Sequence, residues 1–407
     1  MSRASITVVI SCAMLLPAIT GSMAVSADPL SLSRADQDAP VTTRSDYGQI
    51  IAELESSEGA YAPELSESLL SLGLELQRQG RHREAIASFK RGVHLARINE
   101  GLYCTQQLPM LEREIISHLA LGQYAKADER QAYLYRVQMR SIEAGPLRSR
   151  AFLQQAQWQY TAYRLDLDDR GFARLMSMWD LYRLALTDII EQDGETSSRL
   201  LEPLLGMLRA QYLIADYDLE ELQAASAGID NFSVQHQVSR FSAYRAQSYK
   251  RGQAIIQSIY DIQKAQHGAN SLETARTRAM LGDWMLWHGN TDRAMKAYRE
   301  ATAELTPRDD AEELMATLFA QPVELPDLEG AGRLPMQADD DVANLLLEFG
   351  VDRRGRVVDL ERVDENDLNR AEANRIMRML RKTQFRPRLA MGEPQATEGI
   401  TRAYEIQ

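Results

Sequence analysis

The stretch Leu281–Ala301, LGDWMLWHGNTDRAMKAYREA, shares a spaced pattern with Leu72–Gly92, LGLELQRQGRHREAIASFKRG. In both, a glycine follows a leucine, a second glycine lies seven residues later, and an alanine, an aromatic residue and a small residue follow in register. Such agreement at fixed spacing predicts a repeated structural unit. The matched pairs are Gly73 with Gly282, Gly80 with Gly289, Ala85 with Ala294, Phe89 with Tyr298, and Gly92 with Ala301.

The pattern predicts a helical hairpin. A glycine inside a helix costs about 1 kcal/mol relative to alanine, which is tolerable where a second helix must approach closely. Gly80 and Gly289 suit the left-handed residue that ends the first helix, and Asn270 with Glu273 predicts a capping box before the last unit. An ordinary helical bundle with coincidental spacing is the alternative.

A third copy of the pattern is recognisable at Gly122 and Ala127. Together the three units resemble the tetratricopeptide repeat, and their wide spacing resembles its longer-helix variants. That resemblance implies antiparallel helix pairs that bury their apolar faces only when they are stacked. We therefore expect a mostly α protein with a tetratricopeptide-like solenoid over residues 45–320.

Composition narrows the class of function. The 407 residues carry a formal net charge of −12, with 44% hydrophobic and 26% charged residues. This is ordinary for a soluble globular protein. An acidic chain has no global basic field to attract nucleic acid, so we expect no nucleic-acid partner.

The first 27 residues predict a signal peptide. Arg3 precedes an uncharged run from Ala4 to Ala27, and small residues lie just before Asp28. We expect export to the periplasm of a Gram-negative cell. An uncleaved signal anchor, which would hold the chain in the inner membrane facing the periplasm, is the alternative. Removal of the leader would leave Cys104 as the only cysteine, and we expect it to pack as a small apolar residue.

The remaining chain divides by composition. Residues 28–44 are polar and predict a linker. Residues 321–340 are rich in proline and acidic residues and predict a second linker. After it the periodicity of apolar residues changes from helical to alternating, with Leu345, Leu347, Phe349 and Val351 in one strand.

Residues 341–407 predict a small α+β domain in the order β-β-α-β. We expect a second strand at Arg356–Val363, a helix at Asp367–Lys382 and a last strand at Thr397–Ile406. This domain resembles the C-terminal domain of TonB, the periplasmic energy transducer. The residues that carry the resemblance are Asp352, Gly355, Val357, Phe385, Arg386, Pro387, Gly392 and Pro394.

The TonB resemblance implies a specific kind of contact. In that family the domain pairs by strand addition with a short extended segment of an outer-membrane transporter. A divergent, membrane-anchored transducer is therefore our alternative function for the whole chain. A tail that only caps the repeats is a further alternative, because the end of a solenoid needs a polar cover.

No pattern in the sequence indicates an enzyme. The six histidines never fall four residues apart, and there is neither a glycine-rich phosphate loop nor a Gly-x-Ser-x-Gly elbow. We expect no catalytic residues, no metal site and no cofactor.

Partner binding is the better expectation, because the first helix of each hairpin lines the groove of such a solenoid. We expect a non-catalytic scaffold for a protein or peptide of the cell envelope, with an outer-membrane protein among the candidates. For each position the alternative is ordinary solvation or packing. The predicted groove residues are Leu70, Leu74, Gln77 and Arg78 in the first unit and Arg276, Asp283, Leu286 and Trp287 in the last.

Overall fold

The computed structural model describes residues 44–167, 171–218, 232–339, 342–364, 369–390 and 392–406. The predicted leader and most of the first predicted linker lie outside these residues. The chain divides into two compact units, one ending at Gln192 and the other containing everything from Asp193 onward. The described chain is mostly helical with a small sheet region near its C-terminus, which confirms the coarse fold class.

In the first unit the α-helices are α1 (Arg44–Ser57), α2 (Leu65–Arg78), α3 (His82–Glu100), α4 (Leu108–Ala120), α5 (Tyr124–Ser141), α6 (Pro146–Arg164) and α7 (Gly171–Asp193). The second unit begins with α8 (Leu201–Asp216), α9 (Phe232–Ala246), α10 (Ser248–His267), α11 (Leu272–Trp287), α12 (Thr291–Leu305) and α13 (Ala311–Phe319). It continues with β1 (Val323–Glu324), β2 (Leu345–Val351), β3 (Val357–Arg362), α14 (Arg370–Lys382), β4 (Phe385–Arg386), β5 (Arg388–Ala390), β6 (Glu393–Gln395) and β7 (Thr397–Tyr404). No helix among the described residues is long and apolar enough to cross a membrane.

The first helix of three hairpins ends in the same way. Gly80, Gly122 and Gly289 have φ angles of 71°, 66° and 79°. After each glycine the next amide bonds back to the helix, as in Arg81 N to Leu76 O at 2.8 Å. The glycine amide itself donates to the carbonyl of the residue after that acceptor, as in Gly80 N to Gln77 O at 2.9 Å. These two bonds form a Schellman motif, which satisfies the last carbonyl groups and turns the chain into the second helix.

A fourth hairpin, α6–α7, uses the same motif without glycine. Asp166 has a φ of 49°, and the next amide, of Leu167, donates to Ala162 O at 3.2 Å. Aspartate is one of the few residues other than glycine that adopt this left-handed conformation with some frequency. The sequence pattern faded at this point because a different residue type occupies the same backbone position.

The small residues allow aromatic rings to pack against helix backbone. A Cβ atom at Gly73 would come within 2.7 Å of Phe89 Cδ1, and one at Gly282 within 2.6 Å of Tyr298 Cδ1. Gly92 lies against Met110 in the same manner. The alanines of the pattern, Ala85, Ala127, Ala294 and Ala301, are fully buried.

Replacing Gly282 by Ala should lower the free energy of unfolding by about 1–3 kcal/mol, because an added methyl overpacks the site. The ring of Tyr298 is fully buried, and its hydroxyl is held by Asp283 at 2.8 Å, so it has little room to retreat. Chemical denaturation measures the change. Gly48→Ala in α1 is the matched control: nothing lies within 4 Å of the added atom, so it should gain up to about 1 kcal/mol from helix propensity. Equal gains in both variants would contradict the overlap.

The capping box before α11 differs from the expected one by one residue. Ser271 is the N-cap and its hydroxyl accepts from Thr274 N at 3.2 Å, while Thr274 Oγ1 accepts from Ser271 N at the same distance. Serine at the N-cap with a hydroxyl residue three positions later satisfies both amides. The Asn270–Glu273 pair predicted from sequence is not used.

The C-terminal strands form a three-stranded antiparallel sheet in the order β3-β2-β7. Alternate residues of β2 face α14, which buries Ala373, Ile376 and Leu380 against them. Along the chain the elements of this region are β2, β3, α14, β4, β5, β6 and β7, so three short strands that the sequence did not predict lie between α14 and β7. The shared core comprises Leu345, Leu347, Phe349, Val351, Ala373, Ile376, Leu380, Phe385, Tyr404 and Ile406.

The segment 321–340 does more than connect. Its residues Val323 and Glu324 form β1, which pairs antiparallel with β4. Leu325 is buried, and Leu389 of β5 belongs to the same apolar cluster as the α11–α12 hairpin. The C-terminal sheet region is thus packed onto the last hairpin within one compact unit.

Candidate functional site

The predicted positions on α2 are only partly open. Leu70 and Leu74 are half-buried. Gln77 Nε2 donates to Arg113 O at 2.8 Å and to Ser117 Oγ at 2.7 Å, so its amide joins α2 to α4. Arg78 is exposed and pairs with Glu75. In this hairpin Arg78 is the one predicted residue whose side chain is largely exposed to solvent.

The predicted positions on α11 separate into two pairs. Arg276 is exposed and Trp287 is half-buried. Asp283 and Leu286 are only 3% and 2% exposed, so neither can meet a partner, which corrects their assignment to a binding surface. The reason is that the C-terminal segment covers this side of α11. The α2 and α11 positions also belong to different compact units.

A buried polar cluster takes the place of the predicted surface at Asp283. Asp283 Oδ1 accepts from the Tyr298 hydroxyl at 2.8 Å and lies 3.5 Å from Arg386 Nε. Arg386 Nη2 donates to Asp327 Oδ2 at 2.5 Å. The guanidinium also lies 5.9 Å from the centre of the Phe319 ring. We call Asp283, Tyr298, Asp327 and Arg386 the Arg386 cluster.

Burial controls the electrostatics of this cluster. It raises the pKa of Asp283 from 3.8 to about 6, against the opposing effect of Arg386. Burial also raises the pKa of Tyr298 well above its usual value, with the charge of Asp283 adding to the effect. Burial alone would lower the pKa of Arg386, but Asp283 and Asp327 outweigh it and raise that pKa. The cluster holds a charged arginine that is itself almost fully buried, while Asp327 on its outer side is half-exposed.

An aromatic cluster adjoins it on α8, α10 and α11. Tyr212 lies edge-on to Trp284 and Trp287, with ring centres 4.5 Å and 5.1 Å away. His288 contacts Trp284, Trp287 and Tyr249 at 4.5–5.0 Å. Burial lowers the pKa of His288 from 6.5 to about 4. Trp287 therefore packs mainly inside the unit and presents only one side to solvent.

The motif residues of the C-terminal region build turns and contacts rather than a surface. Asp352 Oδ1 accepts from the amides of Arg354 and Arg356 at 2.8 Å each. Gly355 has a φ of 75°, and a Cβ there would overlap Phe385 O. Val357 pairs with Val351 across the sheet, and Pro394 with Leu389. Phe385, Arg386, Pro387 and Gly392 are buried, the last beside Thr302 of α12.

The two edges of the three-stranded sheet differ. On the outer side of β7, Ala338 N donates to Ala403 O at 3.0 Å, and Arg402 Nη1 donates to Glu324 Oε2 at 2.5 Å. On the outer side of β3, an isolated bridge joins Arg356 to Gln384 just before the strand. No described strand other than β2 pairs with Val357–Arg362. Among the described residues, the chain covers part of the β7 edge, while the β3 edge has only the bridge at Arg356.

Sequence reasoning gave no signal for several members of these sites. Asp327 sat in the predicted linker, and Tyr212 carried no motif. Among the described residues, no group of three or more His, Cys, Asp or Glu side chains could hold a metal ion. Cys104 is a buried free thiol whose sulfur lies 3.4 Å from Ala96 O.

Comparisons with known proteins give little further guidance. No protein family matches the chain, and no curated protein matches it significantly. Among solved structures, BtubC (BKLC) from P. vanneervenii is similar over 73% of this chain and 94% of its own. The identity is 15% and the TM-score is 0.38, which is too low to carry an argument about fold or function.

Proposed function

We propose that this protein is a non-catalytic scaffold of the cell envelope that binds a protein or peptide partner by strand pairing. The observation that carries the proposal is the outer edge of β3, along which no strand of the described residues pairs. Unpaired amide and carbonyl groups along a strand accept an added strand from another chain. The helical hairpins resemble tetratricopeptide repeats and the C-terminal region resembles the TonB C-terminal domain, and both of those classes bind peptides.

The orientation of β3 supports the edge as a binding site. Val363 N donates to Leu346 O at 3.0 Å, toward β2. Because alternate residues of a strand point their amides in opposite directions, the amides between those that pair with β2 point toward the outer side of β3. Val358 and Val363 on this strand and just after it are 36% and 42% exposed. They offer apolar contact beside the hydrogen-bonding groups.

The packing of the C-terminal region, the docked tail, against the last hairpin favours the scaffold over the alternative transducer. A transducer must extend its C-terminal domain toward the outer membrane. Here β1–β4 pairing, the Arg386 cluster and Leu389 hold that region against α11 and α12. On α11, Arg276 and the open side of Trp287 supply a second contact for the partner, and Arg78 of α2 remains an exposed position of the other unit. Export by the N-terminal leader places the scaffold in the periplasm.

Site-specific photo-crosslinking tests the edge in cells that make the full chain. A photoreactive residue at Val358 should form an adduct with a discrete partner, whereas one at the exposed Tyr124 of α5 should not. Leu360→Pro should abolish the adduct, since proline removes a backbone donor from the middle of β3. No adduct from Val358, or an adduct that persists in Leu360→Pro, would reject strand pairing.

The same cells test export. The intact mass and the soluble or membrane fraction of the protein distinguish a free scaffold from an anchored transducer. A soluble product that begins at Asp28 supports the scaffold. A full-length product held in the membrane supports the transducer.

A further inference from the structure

One flank of α14 and the β2–β3 turn carry a concentration of positive charge. From Arg375 to the end of the helix, every exposed position is occupied by arginine or lysine at three- and four-residue spacing, which places them along one face. The turn adds three more exposed arginines. The basic surface consists of Arg375, Arg378, Arg381 and Lys382 on α14 and Arg353, Arg354 and Arg356 in the turn.

The two parts of the basic surface adjoin. Gln384 follows the end of α14 by two residues, and its Nε2 donates to Arg354 O at 2.6 Å. An isolated bridge also joins Gln384 to Arg356. The turn therefore lies beside the C-terminal end of α14, where Arg381 and Lys382 are found.

Most of these charges lack acidic partners among the residues that the structure describes. Of the seven residues, only Arg375 forms an ion pair with a described residue, Glu372, at 3.3 Å. The Asp352 carboxylate at the turn already accepts two backbone amides. Arg378 and Lys382 are four residues apart, and like charges at this spacing destabilise a helix. Arg381 and Lys382 complement the helix dipole, but that reason does not extend to Arg378 or to the arginines of the turn.

The absence of apolar anchors on α14 decides the kind of partner. None of the exposed large apolar side chains of the described chain lies on this helix. Protein interfaces are centred on buried aromatic or apolar anchors, whereas adsorption to an anionic bilayer needs only charge close to the headgroups. Six of the seven cations are arginines, and the planar guanidinium pairs with phosphate through two hydrogen bonds.

We propose that the basic surface docks the protein on an anionic phospholipid bilayer. The proposal rests on the proposed export to the envelope, where such membranes are the neighbouring anionic surfaces. The rest of the chain is acidic, with a net charge of −12 overall. Adsorption would therefore orient the molecule, with α14 and the turn facing the headgroups.

Vesicle co-sedimentation of the full chain tests the proposal. The protein should bind vesicles of roughly one-third phosphatidylglycerol in phosphatidylcholine, should not bind pure phosphatidylcholine, and should be released at about 0.5 M salt. The triple variant Arg378→Gln/Arg381→Gln/Lys382→Gln should bind at least about tenfold more weakly, since each cation near such a surface contributes about fivefold.

Two further variants keep the result interpretable. Arg353→Gln/Arg354→Gln/Arg356→Gln removes three charges without touching α14, and it should show a similar loss. Arg83→Gln/Arg97→Gln/Arg136→Gln removes three exposed charges from the first unit, and it should bind like the wild type. Equal binding by all four proteins, or equal losses in all three variants, would overturn the proposal.

Alternative occupants give distinct outcomes. A wild-type protein that ignores anionic vesicles but is retained on polyglutamate or on duplex DNA would overturn the lipid assignment in favour of an acidic protein or nucleic acid. Vesicle binding is measured on purified protein without the strand-pairing partner. Its failure therefore leaves crosslinking from Val358 intact, and failed crosslinking leaves vesicle binding intact.

Discussion

Replacing Arg386 by Met is expected to lower the free energy of unfolding by about 3–5 kcal/mol at neutral pH, because it leaves a buried carboxylate without its counter-charge. Asp283 is 3% exposed and would retain only the Tyr298 hydroxyl as a partner. Asp327 is half-exposed and can be solvated instead. Urea denaturation followed by tryptophan fluorescence measures the loss, since Trp284 lies on the same helix as Asp283.

The loss from Arg386→Met should depend on pH. The pKa of Asp283 is already about 6 with Arg386 in place. Without the arginine, burial raises this pKa further, so the carboxyl becomes neutral by taking up a proton. The cost of the substitution should therefore be smaller at pH 5 than at pH 8. A loss that is constant over this range would show that Arg386 acts through packing alone.

A double variant separates charge from shape. Asp283→Asn/Arg386→Met removes both charges and keeps an acceptor for Tyr298, so it should recover much of the stability lost in Arg386→Met. Arg388→Met is the matched control two residues away. Arg388 is exposed, and its replacement should change stability by less than about 0.5 kcal/mol.

The local spacing of residues in the sequence was sufficient to predict the contacts within the hairpins. Gly73 meets Phe89, and Gly282 meets Tyr298, through one turn of chain whose geometry depends on nearby residues. The same reasoning missed the α6–α7 hairpin, where Asp166 replaces glycine in the left-handed position. It also missed the contact between Gly252 and Trp284, because these two residues lie on different hairpins and share no fixed spacing.

The C-terminal contacts could not be predicted because they join distant parts of the chain. A strand of two residues, such as β1, has no visible alternation, and its partner β4 lies some sixty residues away. Proline and acidic residues around it therefore indicated only a linker. The burial of Asp283 has the same origin, since the face of α11 that carries it is covered by Arg386. Helical periodicity alone cannot predict which exposed face a later segment will cover.

Asp283 and His288 should make opposite contributions to the pH dependence of stability. The folded pKa of Asp283 is about 6, above its value of 3.8 elsewhere. Its contribution is therefore present below about pH 4 and is lost as the pH rises through 6. The folded pKa of His288 is about 4, below 6.5. Its contribution is present above pH 6.5 and is lost as the pH falls toward 4.

Between about pH 4 and 6 these two effects on stability oppose each other. Replacing one of the two residues should therefore leave only the pH dependence that the other contributes. With Asp283→Asn, stability should rise with pH relative to the wild type, because only the histidine effect remains. With His288→Gln, stability should fall as the pH rises, relative to the wild type. The fall should approach about 3 kcal/mol, which is the free energy equivalent of the change in the Asp283 pKa. Urea midpoints measured across this range give the slopes.

The comparison depends on differences between the three proteins. All other titratable groups are common to them, so their contributions cancel when one curve is subtracted from another. Diverging curves for the two variants, one on each side of the wild type, would establish that burial sets both pKa values. Parallel curves would show that neither group changes its pKa on folding. Water would then reach α11 beneath the docked tail, and the Arg386 cluster would be hydrated rather than buried.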